Sequence, residues 1–135
     1  MKKKHIQIYA LLILLFALTG SCKKEAGEGG NASIKGKIWV KDYNPNFTVL
    51  NGEYPGADED VYIIYGDDIS YGDRLRASPD GSFEFKYLRK GKYTVYVYSK
   101  DSTLTSPSLT TSVQVEASVS KNKETVDVGT IEIFE

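Results

Sequence analysis

The stretch Ser78–Ser99, SPDGSFEFKYLRKGKYTVYVYS, decides how the rest of the chain reads. Asp80-Gly81 is a tight-turn dipeptide. Beyond it Phe83 and Phe85 alternate with Ser82, Glu84 and Lys86, which predicts a strand with one apolar face. Gly91 opens a second run in which Tyr93, Val95 and Val97 share one face and Thr94, Tyr96 and Tyr98 the other. Because the link Leu88-Arg89-Lys90-Gly91 is short and polar, the two strands are expected to be antiparallel neighbours.

Towards the N-terminus, Ile34, Gly36, Ile38 and Val40 alternate with Lys35, Lys37, Trp39 and Lys41, predicting a first strand over Ser33–Lys41. From Asp42 to Asp60 the pairs Asn44-Pro45, Asn51-Gly52 and Pro55-Gly56 are turn chemistry, and Phe47, Val49 and Leu50 between them suggest a flap or short hairpin. Val61–Tyr65 is expected as a strand with Val61, Ile63 and Tyr65 inward, Gly66–Gly72 as an acidic loop, and Asp73–Ala77 as a short strand around Leu75. On the C-terminal side Lys100–Pro107 reads as loop. Leu109, Thr111, Val113 and Val115 resume the alternation, Lys121-Asn122-Lys123 turns the chain, and Val126, Val128, Ile131 and Ile133 close it. Roughly seven strands between turn residues, rich in valine, isoleucine, threonine and tyrosine, predict an all-β sandwich.

Asp80, Gly81, Phe83, Phe85, Leu88, Gly91, Tyr93, Val95 and Val97 fit the pattern DG-x-F-x-F-x-x-L-x-x-G-x-Y-x-V-x-V. With it the chain resembles the carboxypeptidase-regulatory-like family, and Val128-Gly129-Thr130-Ile131 is similar to that family's terminal strand. The resemblance covers about Ser33 to Glu135. It implies a Greek-key, transthyretin/prealbumin-like sandwich and a role beside transporters, adhesins or carbohydrate-handling machinery, without chemistry of its own.

The N-terminus carries an address. Lys2, Lys3 and Lys4 precede the uncharged apolar run Ile8–Leu18, and Leu18-Thr19-Gly20-Ser21 leads into Cys22. The run is shorter than the roughly 20 apolar residues of a membrane span. Its end resembles the lipobox of a bacterial lipoprotein, with Thr19 where leucine is commonest, which implies cleavage before Cys22 and lipidation of that cysteine. Residues 1–21 are thus expected as a signal peptide, residues 22–32 as a lipidated cysteine and glycine-rich tether, and residues 33–135 as the sandwich. Lys23, Lys24 and Glu25 resemble the export signals of Bacteroidetes-type lipoproteins. The expected location is the outer membrane, on its periplasmic or its surface side, with the lipid on Cys22 as membrane anchor.

Of 17 basic side chains, three leave with the signal, so 14 face 18 acidic ones and the net charge is −4. That balance argues against nucleic acid as a partner. The sole histidine, His5, leaves as well, and Cys22 is the only cysteine. Histidine-dependent nucleophilic triads, histidine-bound zinc and an intrachain disulfide are therefore excluded for the mature chain. Asp58, Glu59, Asp60, Asp67 and Asp68 lie in or beside loops and match neither a glycosidase carboxyl pair nor a calcium loop. No catalytic residue, metal ligand or cofactor is assigned.

Period two places Trp39, Tyr62, Tyr96 and Tyr98 on the outward faces of their strands. These four form the candidate binding face. Should they converge, they would make an aromatic surface for a glycan or a protein. Scattered, they would be pairs that stabilise sheets. Two functions follow: an accessory module with a protein partner in the envelope, or a lipoprotein that binds a glycan or small ligand through its aromatics.

Overall fold

The computed structural model describes residues 25–135, which form two sheets packed face to face. The strands are β1 (Glu28–Tyr43), β2 (Leu50–Pro55), β3 (Asp60–Tyr65), β4 (Asp73–Arg76), β5 (Ser82–Leu88), β6 (Gly91–Lys100), β7 (Thr110–Val119) and β8 (Thr125–Phe134). The class is all-β, as the alternation predicts, with eight strands described where about seven are expected.

The first sheet is built around β1. Along one edge β1 pairs in parallel with β8, from Ser33↔Thr125 to Lys41↔Phe134. Along the other it takes two antiparallel partners in succession, β5 as far as Lys37↔Ser82 and β2 from Trp39↔Pro55. Ile38 sits at the changeover. Its N–H donates to the Gly81 carbonyl and its own carbonyl accepts from Gly56 N–H, so the backbone ladder stays satisfied across the gap. The second sheet runs β4-β3-β6-β7 and is antiparallel throughout.

This topology corrects the pairing expected for the central stretch. β5 and β6 do not pair; β5 belongs to the first sheet and β6 to the second. A short link suits a crossing between layers as well as a hairpin, and burial decides. Phe83, Phe85 and Leu88 face Tyr93, Val95 and Val97 across the core, and all six are buried. Side-by-side pairing in one sheet would leave one layer without these residues.

The core joins Ile34, Ile38, Val40, Ile131 and Ile133 of the first sheet to Val61, Ile63, Ala117 and Val119 of the second. Gly36 belongs to the inward series but supplies no side chain; a Cβ there would lie 2.7 Å from the Phe83 ring and 2.8 Å from Val128. Glycine lets Phe83 lie over the β1 backbone. Leu109, expected to open a strand, stands outside β7 and is half exposed, and the burial of β7 is carried by its later residues Ala117 and Val119.

The N-terminal boundary also shifts. Residues 28–32, expected in a tether, are part of β1, with Ala32 buried. Gly27 N–H donates to the Tyr93 hydroxyl at 3.0 Å, and that hydroxyl donates to the Arg89 carbonyl at 2.6 Å. A buried phenol needs such partners. It finds them in the segment that composition alone marks as linker. Cys22 and the signal lie outside the described residues.

Candidate binding face

Inward Val61 and Ile63 on β3, and Val95 and Val97 on β6, turn Tyr62, Tyr96 and Tyr98 outward from the second sheet. Register then brings them together. Tyr62 lies opposite Tyr96 on one side and Arg74 on the other, and Tyr96 lies opposite Gln114. One row, Arg74-Tyr62-Tyr96-Gln114, therefore crosses all four strands.

The rings of Tyr62 and Tyr96 stack at 4.9 Å with 9° between their planes. Tyr98 packs edge-on against both at 5.6 Å, and Tyr71 meets Tyr62 at 5.1 Å. The stack spends one face of each inner ring on the other. Within the cluster, Tyr98 at 52% and Tyr71 at 50% exposure are the rings most open to solvent. Burial and the neighbouring Tyr98 push the Tyr96 phenol above its ordinary value. It is accordingly a neutral hydroxyl across the physiological range.

The β4 side of the face is cationic and organised. The Tyr62 hydroxyl beside it, and then the Asp60 carboxylate 3.8 Å away, push the Arg74 guanidinium above its ordinary value. Arg76 Nε approaches the same carboxylate at 3.5 Å. Both arginines are largely exposed, so these ion pairs order the side chains more than they stabilise the fold. The result is a surface of phenol hydroxyls, ring edges and two guanidinium groups.

Trp39 is not part of it. It points outward from β1 on the first sheet, where its indole N–H donates to Glu53 of β2 at 3.3 Å. Alternation fixes which face of its own sheet a residue takes, whereas sheet membership depends on pairings between distant segments. The four candidates therefore divide into a cluster of three and one residue on the opposite layer. Tyr71 is the member that periodicity misses, because it sits in the Gly66–Gly72 loop and has no strand phase.

A second concave feature lies at the end of the sandwich where β1 turns into β2 and β6 leads to β7. Here a cleft of about 480 Å³ is lined by Tyr43, Phe47, Leu104 and Leu109, among others. Tyr43, Phe47 and Phe134 pack together with centroids 5.7–5.8 Å apart. Asn44 Oδ1 holds the first turn by accepting from Thr48 and Val49 N–H. Asp101 holds the second: its buried carboxylate accepts from the Thr103 hydroxyl at 2.6 Å, Thr103 N–H at 2.9 Å and Ser106 N–H at 2.8 Å. These bonds, the Thr103 hydroxyl foremost, hold the carboxyl well below the usual carboxylate range.

The acidic residues singled out by the sequence do not assemble. Asp60 is engaged by two arginines, Asp67 and Asp68 lie in the loop after β3, and burial raises Glu59 beside Glu135. Among the described residues no group of three or more histidine, cysteine or acidic side chains has the geometry to hold a metal ion.

No family model matches the chain, and no curated protein matches it. Solved structures give distant likenesses. One is a protein of Pseudomonas aeruginosa described provisionally as carbohydrate binding, with TM-score 0.44 and 11% identity over 82% of this chain and 92% of that one. Another is (S)-allantoin synthase, with TM-score 0.42 and 9% identity over 76% of this chain and 42% of that one.

Proposed function

We propose that the protein is a non-catalytic lipoprotein of the cell envelope, a carboxypeptidase-regulatory-like sandwich that binds a protein partner through the tyrosine face of its second sheet. The address rests on Lys2–Lys4, the apolar run and Cys22. The binding role rests on one observation, the convergence of Tyr62, Tyr71, Tyr96 and Tyr98 beside Arg74 and Arg76. Tyrosine and arginine are enriched among residues that dominate protein interfaces. Tyrosine gives a large, rigid, amphipathic contact with little side-chain entropy to lose.

Ring geometry separates the two readings of an aromatic surface. A sugar ring stacks on an open aromatic face, and Tyr62 and Tyr96 turn a face of each ring to one another. A protein partner uses edges, hydroxyls and the half-exposed rings together. Glycan binding remains the second reading, favoured by Tyr71 and Tyr98, whose rings are half open.

The test is recovery of partners from envelope membranes by the lipidated protein, beside Cys22→Ala and Tyr71→Ser/Tyr98→Ser versions. One protein is expected with the parent chain, and losing a hot-spot pair worth about 2 kcal/mol or more cuts its recovery at least ~30-fold. Equal recovery by the double tyrosine variant contradicts the face assignment. A glycan retained by the soluble protein, with no protein recovered, replaces the first reading by the second.

A further inference from the structure

We propose that the sandwich stands directly on the bilayer, with the end that carries the Gly66–Gly72 loop seated in the headgroup layer of the leaflet holding its lipid. The inference deepens the lipoprotein reading above and rests on it.

Its basis is how little chain separates the anchor from the fold. Glu28 already belongs to β1, Gly27 is held by the Tyr93 hydroxyl, and Ala26 packs against the core. From Cys22 to Ala26 the chain spans at most about 14 Å, four residues at roughly 3.3–3.6 Å each. A lipid on Cys22 thus leaves the domain no room to stand clear of the surface. The segment expected as an eleven-residue tether is mostly consumed by the fold.

The elements beside Ala26 define the contacting end. Gly66 N–H bonds to the Lys92 carbonyl, Arg89 N–H to the Gly27 carbonyl and Ser33 N–H to the Glu124 carbonyl. The loop after β3 and the links β5–β6 and β7–β8 therefore surround the point where the chain enters. Ile69, in the middle of the first of these, is 103% exposed and touches nothing that its own fold offers. A lone exposed isoleucine is ordinary on a protein surface. Placed within reach of an anchored bilayer, it has an apolar environment to enter.

Charge permits the contact without driving it. Arg89, Lys90, Lys92, Lys121 and Lys123 at this end are matched by Glu25, Glu28, Asp67, Asp68 and Glu124. Lys23 and Lys24 add positive charge next to the anchor. The contacting end is near neutral to weakly cationic, compatible with phosphatidylethanolamine and phosphatidylglycerol headgroups. β6 runs from this end to the other, so ten residues at about 3.3 Å each place the Tyr43–Leu109 cleft roughly 30 Å further from the membrane.

The test uses the full-length lipidated protein in phosphatidylethanolamine/phosphatidylglycerol vesicles that contain a headgroup-level quencher. Acylation leaves Cys22 no free thiol, and it is the only cysteine, so Ile69→Cys and Leu104→Cys each give one labelling site. Both positions are exposed, and circular dichroism checks that each variant folds. Quenching severalfold stronger at position 69 than at 104 is the expected result. Equal quenching at the two sites, on protein whose Cys22 is shown by mass to be acylated, overturns the orientation and leaves the anchor standing. An unacylated Cys22 removes the anchor and the orientation together, while the tyrosine-face reading is tested separately by partner recovery.

Discussion

Tyr96 and Tyr98 are adjacent in phase on one strand face but differ in what their removal costs. Tyr96 stacks on Tyr62 and is partly covered, so Tyr96→Ser loses an aromatic pair and its buried area, about 1–2 kcal/mol in urea denaturation. Tyr98 is half exposed but packs edge-on against both rings, so Tyr98→Ser should cost about 1 kcal/mol or less. Binding should fall in both. Asp101 is the other residue whose replacement separates competing effects. Its folded-state pKa is depressed, so the stabilisation it gives is complete above the unfolded value of about 3.9 and is lost only as pH falls from there through its folded value, well below the usual carboxylate range. Asp101→Asn is therefore expected to lower the urea midpoint clearly at pH 7, almost as clearly near pH 4, and much less only near pH 1. A deficit of equal size at pH 7 and near pH 1 would show that packing, and not the charge, holds the loop.

At the scale of elements, β1 is the strand on which the most depends and whose limits composition hides. Starting the domain at Ser33 removes Ala32, the Gly27–Tyr93 bond and the early pairing with β5. With each lost hydrogen bond worth about 1 kcal/mol, a chain from Ser33 should unfold several kcal/mol more easily than one from Glu25, measured by urea denaturation. Gly81 is the matching point on the far side of β1. Its φ is +80°, in the left-handed region, and its carbonyl accepts from Ile38. Gly81→Ala should cost more than the roughly 1 kcal/mol of the αL penalty, because the changeover between β2 and β5 is fixed there. Strands β3 and β6 are legible in the sequence because each carries an unbroken two-residue period of large apolar side chains, and β8 because it carries two such runs, Val126–Val128 and Ile131–Ile133, that change phase across Gly129. β2 is legible only as the short hairpin that the turn pairs of 42–60 suggest, since LNGEYP has no buried face and is held by backbone pairing to β1 after a turn set by Asn44. The binding face is half legible for the same reason: phase gives Tyr62, Tyr96 and Tyr98, while sheet membership removes Trp39 and loop conformation adds Tyr71.

The whole molecule has two ends and two faces with different occupants. One end takes the chain from the anchor, the opposite end carries the apolar cleft, and the tyrosine face lies along the side between them. Two well-packed layers are what keep that face fixed. Phe85 is buried at their centre, and Phe85→Ala should cost about 3–5 kcal/mol and abolish binding together with the fold. The face variants, by contrast, should lose binding while the fold persists. That separation is most direct inside the living envelope, with a photo-crosslinking amino acid at position 98 on the second sheet or at position 39 on the first. A discrete protein adduct is expected from position 98 and none from position 39. An adduct from position 39 with none from position 98 would contradict the face assignment.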